Sequence, residues 1–531
     1  MTHVAVVNNE TVLVIDRKED NPLINADGYP AWGAVWSLVD NTARALNMET
    51  HSFCSAGSFL SNGTLVNFGG HPYTDRDGQA APDGQQGIRQ FNACPASGTC
   101  DIYENSQRIR LGSNRWYPSS SRLPDGSAII IGGQLYSGWT NNDVSNNPTY
   151  EFYPAKNSNG YNGLPIPSQF FVDTLPHNTF PHVFSLPSDK LFVAANNQAM
   201  LLDWHTNTET RLPNFPNGQR VVYPLNAAGV LLPLTPENNY TPEVLICGGS
   251  QISDKISAED LDAQHDYGSA QCSRMVLNSA GIAAGWQVEW MPEPRIMSEG
   301  TLLPDGKVLI LNGCRTGTAG YENLQNRIGN SNCDHPTLTP LLYDPNAAVG
   351  SRFTRAGLPT SSIARLYHSV ATLLPSGAIM IGGSNPNDDM ETKKWASEYR
   401  VEYLYPAYMN QPRPTFSGIP SHISYNGQFT LNVVIPAGAQ KVYAILMDYG
   451  YAHRAAGIVL THSVHMDQKL VKLVSELQGS QLTVTGPPSA PVFSPGPGWI
   501  IVMADDIPSM AQQVMIGSGA NPPEDIGATN K

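Results

Sequence analysis

Four side chains capable of metal or radical chemistry occur at one repeated place in this sequence. Cys54, Tyr117 and His368 each stand nine residues before the glycine of a hairpin turn, and Tyr367 directly precedes His368. Equal offsets in equivalent units place side chains at the same end of the same strand, because side-chain direction along a strand has a fixed period. We therefore expect these four residues to converge. They include nitrogen and oxygen donors for a transition metal.

The offset alone does not identify a site. In two further units it falls on Phe180 and Met297, so residue type must supply the rest of the argument. Neighbouring residues on a regular strand face opposite sides of the sheet. Tyr367 and His368 can therefore reach one metal only from irregular backbone, and we predict that both lie in the loop leading into the strand.

A second source of histidine ligands is the segment 461–468, which contains His462 and His465. On an extended segment these two side chains would tend to point apart, so we expect at most one of them to join Tyr367 and His368. Two imidazoles with phenolate oxygens suit Cu(II) in a tetragonal site with open positions. Zinc is the alternative, although it rarely takes tyrosine.

The hairpin that carries these residues recurs along the chain. It reads as an apolar run, a turn rich in Pro, Asp and Gly, and a second apolar run that often ends in Gly-Gly. We count seven units, roughly 50 to 70 residues apart, a spacing typical of four-stranded propeller blades. Six or eight blades are the alternatives. If the first strand of each blade lines the central channel, the offset residues meet near the axis.

The blade pattern ends near residue 405, and the strands beyond it alternate differently. We predict an all-β fold with two domains. Residues 1–405 form a seven-bladed, kelch-like β-propeller, and residues 406–531 form a C-terminal immunoglobulin-like β-sandwich.

Composition excludes several classes of partner. The formal net charge of the 531-residue chain is −14, which argues against nucleic acid and anionic membranes. No apolar run reaches the length that a membrane span needs. The chain starts without a basic-then-apolar leader, so it is either cytosolic or a secreted protein whose signal peptide is absent from this sequence.

The cysteines favour secretion. Local spacing suggests three disulfide pairs, each of which would close a loop, although six cysteines allow fifteen pairings. The remaining cysteine of the seven, Cys54, has no partner in this scheme. The suggested pairs are Cys94 with Cys100, Cys247 with Cys272, and Cys314 with Cys333. Scattered reduced cysteines in a cytosolic protein are the alternative. Glycosylation tripeptides begin at Asn9, Asn62 and Asn239.

Four motifs contain the candidate residues: Phe-Cys-Ser-Ala-Gly at 53–57, Arg-Trp-Tyr-Pro-Ser-Ser at 115–120, Arg-Leu-Tyr-His-Ser at 365–369 and Thr-His-Ser at 461–463. They resemble those of the copper radical oxidases, which include galactose oxidase and, more similar to this chain, glyoxal oxidase. The resemblance covers nearly the whole chain, and it implies a propeller whose channel receives one loop from the C-terminal sandwich.

The resemblance also implies a role for each site residue. Cys54 matches the cysteine that is joined by a thioether to a tyrosine, here Tyr117, and the linked pair stores a radical and supplies one metal ligand. Tyr367 matches the axial tyrosine that acts as base, and His368 and His462 match the histidine ligands. One copper ion and the protein-derived Cys-Tyr radical are the implied cofactors.

Two features depart from the galactose oxidase pattern. The tryptophan that stacks over the thioether should follow Gly132-Gly133 by two residues, but Leu135 stands there. Tyr136 and Trp139 are the candidate substitutes. No residue matches the arginine that holds a sugar ring, which weakens galactose as the substrate.

The implied activity is oxidation of small aldehydes such as glyoxal and methylglyoxal, as hydrates, to carboxylic acids, with O2 reduced to hydrogen peroxide. Oxidation of aryl, alkyl or galactose-type primary alcohols is the alternative. We expect a monomer whose peroxide feeds peroxidases. The alternative from a different functional class is a propeller that binds a partner and has no catalytic activity. A propeller glycosidase would need a close pair of carboxylic acids, which the offset positions do not offer.

Overall fold

The computed structural model describes residues 3–76, 79–387, 393–453 and 464–529. Seven antiparallel sheets follow one another from residue 3 to residue 404 and form the predicted propeller. The strands of blades 1 to 3 are β1 (His3–Val6), β2 (Thr11–Ile15), β3 (Gly33–Ser37), β4 (Ala43–Ala45), β5 (Ala56–Phe59), β6 (Leu65–Phe68), β7 (Thr74–Arg76), β8 (Gln79–Ala81), β9 (Ile88–Phe91), β10 (Ile102–Glu104), β11 (Ser119–Arg122), β12 (Ala128–Ile131), β13 (Thr149–Tyr153) and β14 (Ile166–Pro167). The pair β7–β8 is a separate hairpin inserted in blade 2.

Blades 4 to 7 repeat the same topology, except that blade 7 has three strands among the described residues. The pair β25–β26 is a hairpin inserted in blade 6. The strands are β15 (His182–Ser185), β16 (Leu191–Ala195), β17 (Gln198–Asp203), β18 (Thr208–Arg211), β19 (Ala227–Leu231), β20 (Glu243–Gly248), β21 (Gln271–Val276), β22 (Gln287–Trp290), β23 (Glu299–Leu302), β24 (Val308–Leu311), β25 (Cys314–Tyr321), β26 (Ser331–Pro336), β27 (Leu341–Tyr343), β28 (Phe353–Thr354), β29 (Ser369–Leu373), β30 (Ile379–Gly383) and β31 (Glu402–Leu404).

The first strand of each blade is the innermost one, as expected. All residues of β1, β5, β11, β15, β19, β23 and β29 are buried. Each of these strands is joined to the second strand of its blade by the hairpin turn seen in the sequence. Gly63, Gly126, Gly306 and Gly377 occupy left-handed backbone in this turn, with φ between 82° and 91°. That conformation favours glycine, because a Cβ atom clashes there in other residues.

The C-terminal part is a β-sandwich of two sheets whose inner faces share one apolar core. Leu431 and Leu482 of one sheet pack in the same cluster as Leu446, Ile500 and Val514 of the other. The strands are β32 (Thr415–Ser417), β33 (His422–Ile423), β34 (Gln428–Val434), β35 (Val442–Asp448), β36 (Tyr451–His453), β37 (Val464–Met466), β38 (Lys469–Lys472), β39 (Ser475–Gln478), β40 (Gln481–Thr485), β41 (Gly496–Ala504), β42 (Ile507–Pro508) and β43 (Gln512–Ile516).

Strands β36 and β37 leave the sandwich and enter the centre of the propeller. β36 pairs antiparallel with β1, with Ala452 opposite Val4, so the sheet of blade 1 has six strands. β37 pairs with β36 and contacts the inner strands β11, β15, β19 and β23. The C-terminal part therefore places a hairpin inside the channel.

Helices are few and short. The α-helices are α1 (Gln169–Asp173), α2 (Ser279–Ala284) and α3 (Ile526–Thr529), and the 3-10 turns are Pro216–Gly218, Pro236–Asn238 and Ala407–Asn410. None of the helices in the described part of the chain has the length and apolar composition of a membrane span.

Two of the three expected disulfides are present, Cys94–Cys100 and Cys247–Cys272. The expected third disulfide is not present, because Cys314 and Cys333 are buried free thiols that are hydrogen-bonded to each other. The two cysteine pairs differ in strand register. Cys247 and Cys272 are direct cross-strand partners, whereas Cys314 lies opposite Pro336 and Cys333 opposite Gly317.

Candidate metal centre

The residues at the repeated offset share an unusual backbone conformation. Cys54, Tyr117 and His368 have φ of 62°, 66° and 73°, and Phe180 and Met297 have φ of 47° and 61°. Positive φ is uncommon for residues other than glycine. Each of the five stands one or two residues before its inner strand. The offset therefore marks a true structural equivalence, and the prediction that Tyr367 and His368 lie outside the regular strand is confirmed.

The left-handed residue brings consecutive side chains together. The ring centroids of Tyr367 and His368 are 3.8 Å apart with planes inclined at 37°. Those of Trp116 and Tyr117 are 3.9 Å apart at 35°. In a regular strand these pairs would point to opposite faces. The irregular backbone thus turns two neighbours toward the same space.

Main-chain hydrogen bonds tie these positions from blade to blade. Tyr117 N–H donates to the Cys54 carbonyl at 3.0 Å, and Phe180 N–H donates to the Tyr117 carbonyl at 3.0 Å. The side chains of Cys54 and Tyr117 are also hydrogen-bonded to each other. Burial raises the pKa of the Cys54 thiol and of the Tyr117 phenol well above their usual values. Both groups are therefore protonated at neutral pH.

Three aromatic rings surround Tyr117. Besides Trp116, the ring of Phe180 meets it edge-on at 4.9 Å, and the ring of Tyr223 stacks on it at 5.6 Å and 17°. All four residues are fully buried. The sequence offers Tyr136 and Trp139 as substitutes for the tryptophan that is missing at Leu135. The structure instead puts Trp116 against Tyr117, while Tyr136 is 61% exposed and the Trp139 indole N–H donates to the Ala319 carbonyl.

Tyr367 lies close enough to Tyr117 to contribute, after burial and the neighbouring Cys54, to the raised pKa of the Tyr117 phenol. His368 stacks on Tyr367, and the ring of Tyr321 lies 6.0 Å from Tyr367 and 6.2 Å from His368. Four of the five predicted site residues thus meet near the axis of the propeller.

The orientation of His368 is set by a polar network. Its Nδ1 is hydrogen-bonded to the Asn385 main-chain carbonyl, which leaves Nε2 as the nitrogen suited to a metal. The Asn385 amide donates to the Glu19 carboxylate at 3.1 Å and 3.2 Å. Arg17 donates both to Glu19 at 2.6 Å and to the Tyr321 hydroxyl at 3.1 Å. This network was not foreseen, since nothing in a single sequence relates residues 17–19 to residue 385.

The predicted fourth ligand, His462, lies outside the described residues. His465 is described, and its Nε2 is hydrogen-bonded to the Tyr449 carbonyl at 2.7 Å. Burial lowers the pKa of His465 to about 4, so its imidazole is neutral. Strands β36 and β37, which flank the segment containing His462, lie against β5 and β11, the strands that follow Cys54 and Tyr117.

The two residues that directly follow β37, Asp467 and Gln468, anchor the β36–β37 hairpin to the propeller. The Asp467 carboxylate accepts hydrogen bonds from Ser121 Oγ and from the Arg122 main-chain N–H, both at 2.8 Å. The Gln468 amide accepts from Leu302 N–H at 2.6 Å and donates to the Gly300 carbonyl at 2.9 Å. The depth of the hairpin in the channel is therefore fixed from two sides.

The donor set fits copper better than a metal bound by carboxylates or thiolates. Within the described ranges there is no cluster of three or more His, Cys, Asp or Glu side chains that could hold a metal. The available donors are the phenols of Tyr117 and Tyr367 and Nε2 of His368. Such an N,O set matches tetragonal Cu(II).

Comparison with known protein families decides the relationship. The family model described as "Glyoxal oxidase N-terminus" matches residues 3–408, and "Galactose oxidase-like, Early set domain" matches residues 413–516. The chain belongs to the glyoxal oxidase family of copper radical oxidases. The predicted family is thereby confirmed, and membership makes the chain an oxidase whose family implies copper and a radical.

Two relatives match this family member over at least 90% of its length. "Aldehyde oxidase GLOX" of Vitis pseudoreticulata is 30% identical over 97% of this chain and 94% of its own. "Aldehyde oxidase GLOX1" of Arabidopsis thaliana is 31% identical over 90% of this chain and 74% of its own. A solved structure described as a fungal alcohol oxidase in complex with copper has a TM-score of 0.70 and 16% identity over 97% of both chains. It shares the fold.

Proposed function

We propose that this protein is a copper radical oxidase that converts small aldehydes, as their hydrates, to carboxylic acids. The supporting observation is the contact between Cys54 and Tyr117, a hydrogen-bonded thiol and phenol in a dry aromatic setting beside Tyr367 and His368. A propeller that only binds a partner has no use for such a contact. The overall reaction is RCH(OH)2 + O2 → RCOOH + H2O2.

Tyr117, Tyr367, His368 and His462 would hold the copper ion. When bound, copper together with the linked Cys54–Tyr117 pair supplies the redox chemistry. The propeller supplies Tyr117, Tyr367 and His368, and the C-terminal domain would supply His462 on the hairpin that Asp467 anchors. We assign the propeller domain to residues 1–405 and the sandwich domain to residues 406–531.

The link between Cys54 and Tyr117 is proposed as a thioether. The Cys54 sulfur bonds to the ring carbon beside the phenol carbon of Tyr117, and the thiol and that ring carbon each lose one hydrogen. Molecular oxygen accepts both hydrogens and leaves as hydrogen peroxide, so the chain becomes lighter by two hydrogens. The main-chain hydrogen bond between the two residues holds them in place for this step.

Tyr367 acts as the base. A hydrated aldehyde carries a hydroxyl proton that must leave as its carbon is oxidised, and Tyr367 accepts it within hydrogen-bonding reach. His368 is held in one orientation by the Asn385 carbonyl. Trp116, Phe180 and Tyr223 exclude water from the Tyr117 ring, which protects a radical there from side reactions.

Aldehydes are the first candidate substrates, because two relatives that match at least 90% of this chain carry the name aldehyde oxidase. Primary alcohols are the second candidate, because the structural neighbour is described as an alcohol oxidase. The two disulfides suit an oxidising compartment, and we propose that the protein is secreted and glycosylated. We also propose that it acts as a monomer and that peroxidases use its peroxide.

The test is peroxide release by the copper-loaded, oxidatively activated protein. Methylglyoxal, glyoxal, benzyl alcohol and galactose are compared at equal concentration, with the Cys54→Ser variant as the control. We expect the highest kcat/KM with methylglyoxal or glyoxal and background rates in the variant. Equal rates in the variant and the native chain would refute the proposed cofactor. A higher kcat/KM for benzyl alcohol would establish the alcohol alternative.

A further inference from the structure

A groove of about 610 Å³ lies where the first and last blades of the propeller meet the C-terminal sandwich. Blade 1 contributes the β1–β2 and β3–β4 turns, through Asn9 and Asn41. Blade 7 contributes Tyr403 and Tyr405, at the end of its outer strand. The sandwich contributes the β42–β43 connection, through Met510. The groove therefore spans both the closure of the blade ring and the boundary between the two domains.

Hydrogen bonds hold the walls of this groove in place. The Tyr403 hydroxyl donates to Asn41 Oδ1 at 2.6 Å and accepts from the Trp36 indole N–H at 3.1 Å, so blade 7 is tied to blade 1. Ala511 N–H donates to the Pro375 carbonyl at 2.9 Å, which ties the sandwich to blade 7. The groove is therefore formed before anything binds in it, as is usual for binding sites.

The lining of the groove is uncharged and partly apolar. Tyr405 and Met510 are 59% and 61% exposed, and polar groups of Asn41 and Gln512 stand beside them. An exposed apolar surface with a polar rim marks a binding site. None of the described lining residues carries a charge, although the chain has a net charge of −14. A suitable occupant is therefore neutral and has an apolar face together with hydroxyl or amide groups, as a sugar ring does.

One wall of the groove carries an attachment point for a sugar. Asn9 begins the tripeptide Asn-Glu-Thr, which has the form of an N-glycosylation acceptor. It is exposed in the β1–β2 turn, where Asn8 Oδ1 accepts hydrogen bonds from the Glu10 and Thr11 N–H groups, both at 2.8 Å. These bonds fix the turn, so a group bonded to Asn9 Nδ2 starts at the wall of the groove.

The other two acceptor tripeptides have different surroundings. Asn62 is half-buried, and its side-chain amide donates to Asn521 Oδ1 at 2.9 Å and accepts from Thr64 N–H at 2.9 Å. Asn239 is exposed and is not a lining residue of the groove. Asn239 therefore provides an exposed site with which Asn9 can be compared.

We propose that Asn9 carries an N-linked glycan whose first sugars, both N-acetylglucosamine, lie in this groove against Tyr405 and Met510. Asn9 Nδ2 loses a proton and bonds to C1 of the first sugar, which leaves the diphosphate of its lipid-linked donor. The inference rests on the proposed secretion, because such glycans are added in the secretory pathway, and it is independent of the oxidase reaction. The glycan covers an apolar surface and contacts both domains.

The first experiment locates the glycan and measures what it covers. The full chain is secreted from yeast, and peptide mass spectrometry gives the occupancy of Asn9. Oxidation of Met510 to the sulfoxide by added hydrogen peroxide is then followed in the native chain, Asn9→Gln and Asn239→Gln. We expect Asn9 to be occupied, and Met510 to be oxidised severalfold faster in Asn9→Gln only. Met515, a partly exposed methionine of β43, is the internal control and should react equally in all three proteins.

Two outcomes of this experiment would overturn the proposal. One is an unmodified Asn9 in the secreted chain, and the other is an equal rate of Met510 oxidation in the native chain and Asn9→Gln. Peroxide release from an aldehyde is measured on the same samples after copper loading. An active enzyme with either outcome would refute the glycan site and leave the oxidase function standing.

The second experiment separates packing of the glycan from its presence. The folded chain is treated with an endoglycosidase that cuts between the first two sugars, and release is followed at Asn9 and Asn239. We expect severalfold slower release at Asn9, and we expect Tyr405→Ala to remove the difference without changing occupancy. Tyr267→Ala is the matched control, because Tyr267 is 65% exposed and does not line the groove. Equal release at the two sites of the native chain would show a glycan that projects into solvent, and would contradict the proposal.

Discussion

The main-chain N–H of Tyr117 donates a 3.0 Å hydrogen bond to the carbonyl oxygen of Cys54, and so joins blade 3 to blade 2. Both residues have left-handed backbone, which directs their side chains toward each other as well. The distance between sulfur and phenol is therefore governed by the packing of two blades. Chemistry that needs these two groups in contact can depend on the rigidity of the propeller.

The proposed thioether predicts a specific change in mass. After treatment with copper and oxygen, a digest of the native chain should contain one linked peptide pair bearing Cys54 and Tyr117, lighter by two hydrogens. Cys54→Ser and Tyr117→Phe should each abolish the link and reduce peroxide release to background. Cys314→Ser, which removes another buried thiol, should keep the link. Unlinked peptides from the native chain would show that the cofactor assignment is wrong.

Removing the ring that covers Tyr117 should destabilise both the fold and the radical. Trp116 is fully buried, so Trp116→Ala should cost about 3 to 5 kcal/mol of unfolding free energy, measured with urea. Trp116→Phe keeps a ring and should cost less. The half-life of the oxidised cofactor, followed by electron paramagnetic resonance, should shorten in the order native, Phe, Ala. Equal half-lives in all three proteins would leave Trp116 with a packing role only.

The anchor of the central hairpin should control copper affinity. Asp467→Asn replaces one carboxylate oxygen by an amide NH2 group, so the side chain can no longer accept from Ser58 on one oxygen and from Ser121 and Arg122 on the other, and the β36–β37 hairpin is held less firmly. We expect copper affinity to fall about tenfold or more, as for other residues that orient metal ligands. Direct titration with copper is the measurement. Asp505→Asn is the control, because that carboxylate accepts main-chain N–H groups only within the sandwich, at Gln440 and Lys441. An affinity unchanged by Asp467→Asn would argue against delivery of a ligand by this hairpin.

Buried histidines should make the fold sensitive to acid. Burial lowers the pKa of His177 and of His182 to about 4, and of His3 to about 3. The unfolded chain binds these protons near pH 6.5. Their contribution to stability is therefore complete above pH 6.5 and is lost as pH falls toward 4, by up to about 1.4 kcal/mol per pH unit for each histidine.

Urea unfolding at pH 7 and pH 5 tests this expectation. His182→Gln should lose less stability between the two pH values than the native chain. His422→Gln, which alters an exposed histidine of the sandwich, should lose as much as the native chain. If His182→Gln behaved like the native protein, protonation of His182 would not be a source of acid instability.

Much of the fold was predictable because its signals are local. Apolar runs and turn glycines lie within a dozen residues of each other, and Gly63, Gly126 and Gly377 do occupy left-handed turns. The common offset of Cys54, Tyr117 and His368 was also readable, since repeated units impose repeated geometry. The roles given to those residues came from family motifs, and they stay proposals.

Other features depend on contacts between distant parts of the chain, and only the tertiary structure decided them. The sequence alone predicted neither that Trp116 would lie against Tyr117 nor that Glu19 would support Asn385. It predicted a disulfide between Cys314 and Cys333, which the structure shows as two hydrogen-bonded free thiols. Where a strand or a turn forms is determined largely by residues that are close together in the sequence. The packing of seven blades and an inserted hairpin determines which side chains meet at the axis. In a close-packed interior each aromatic ring is held in one position by its neighbours.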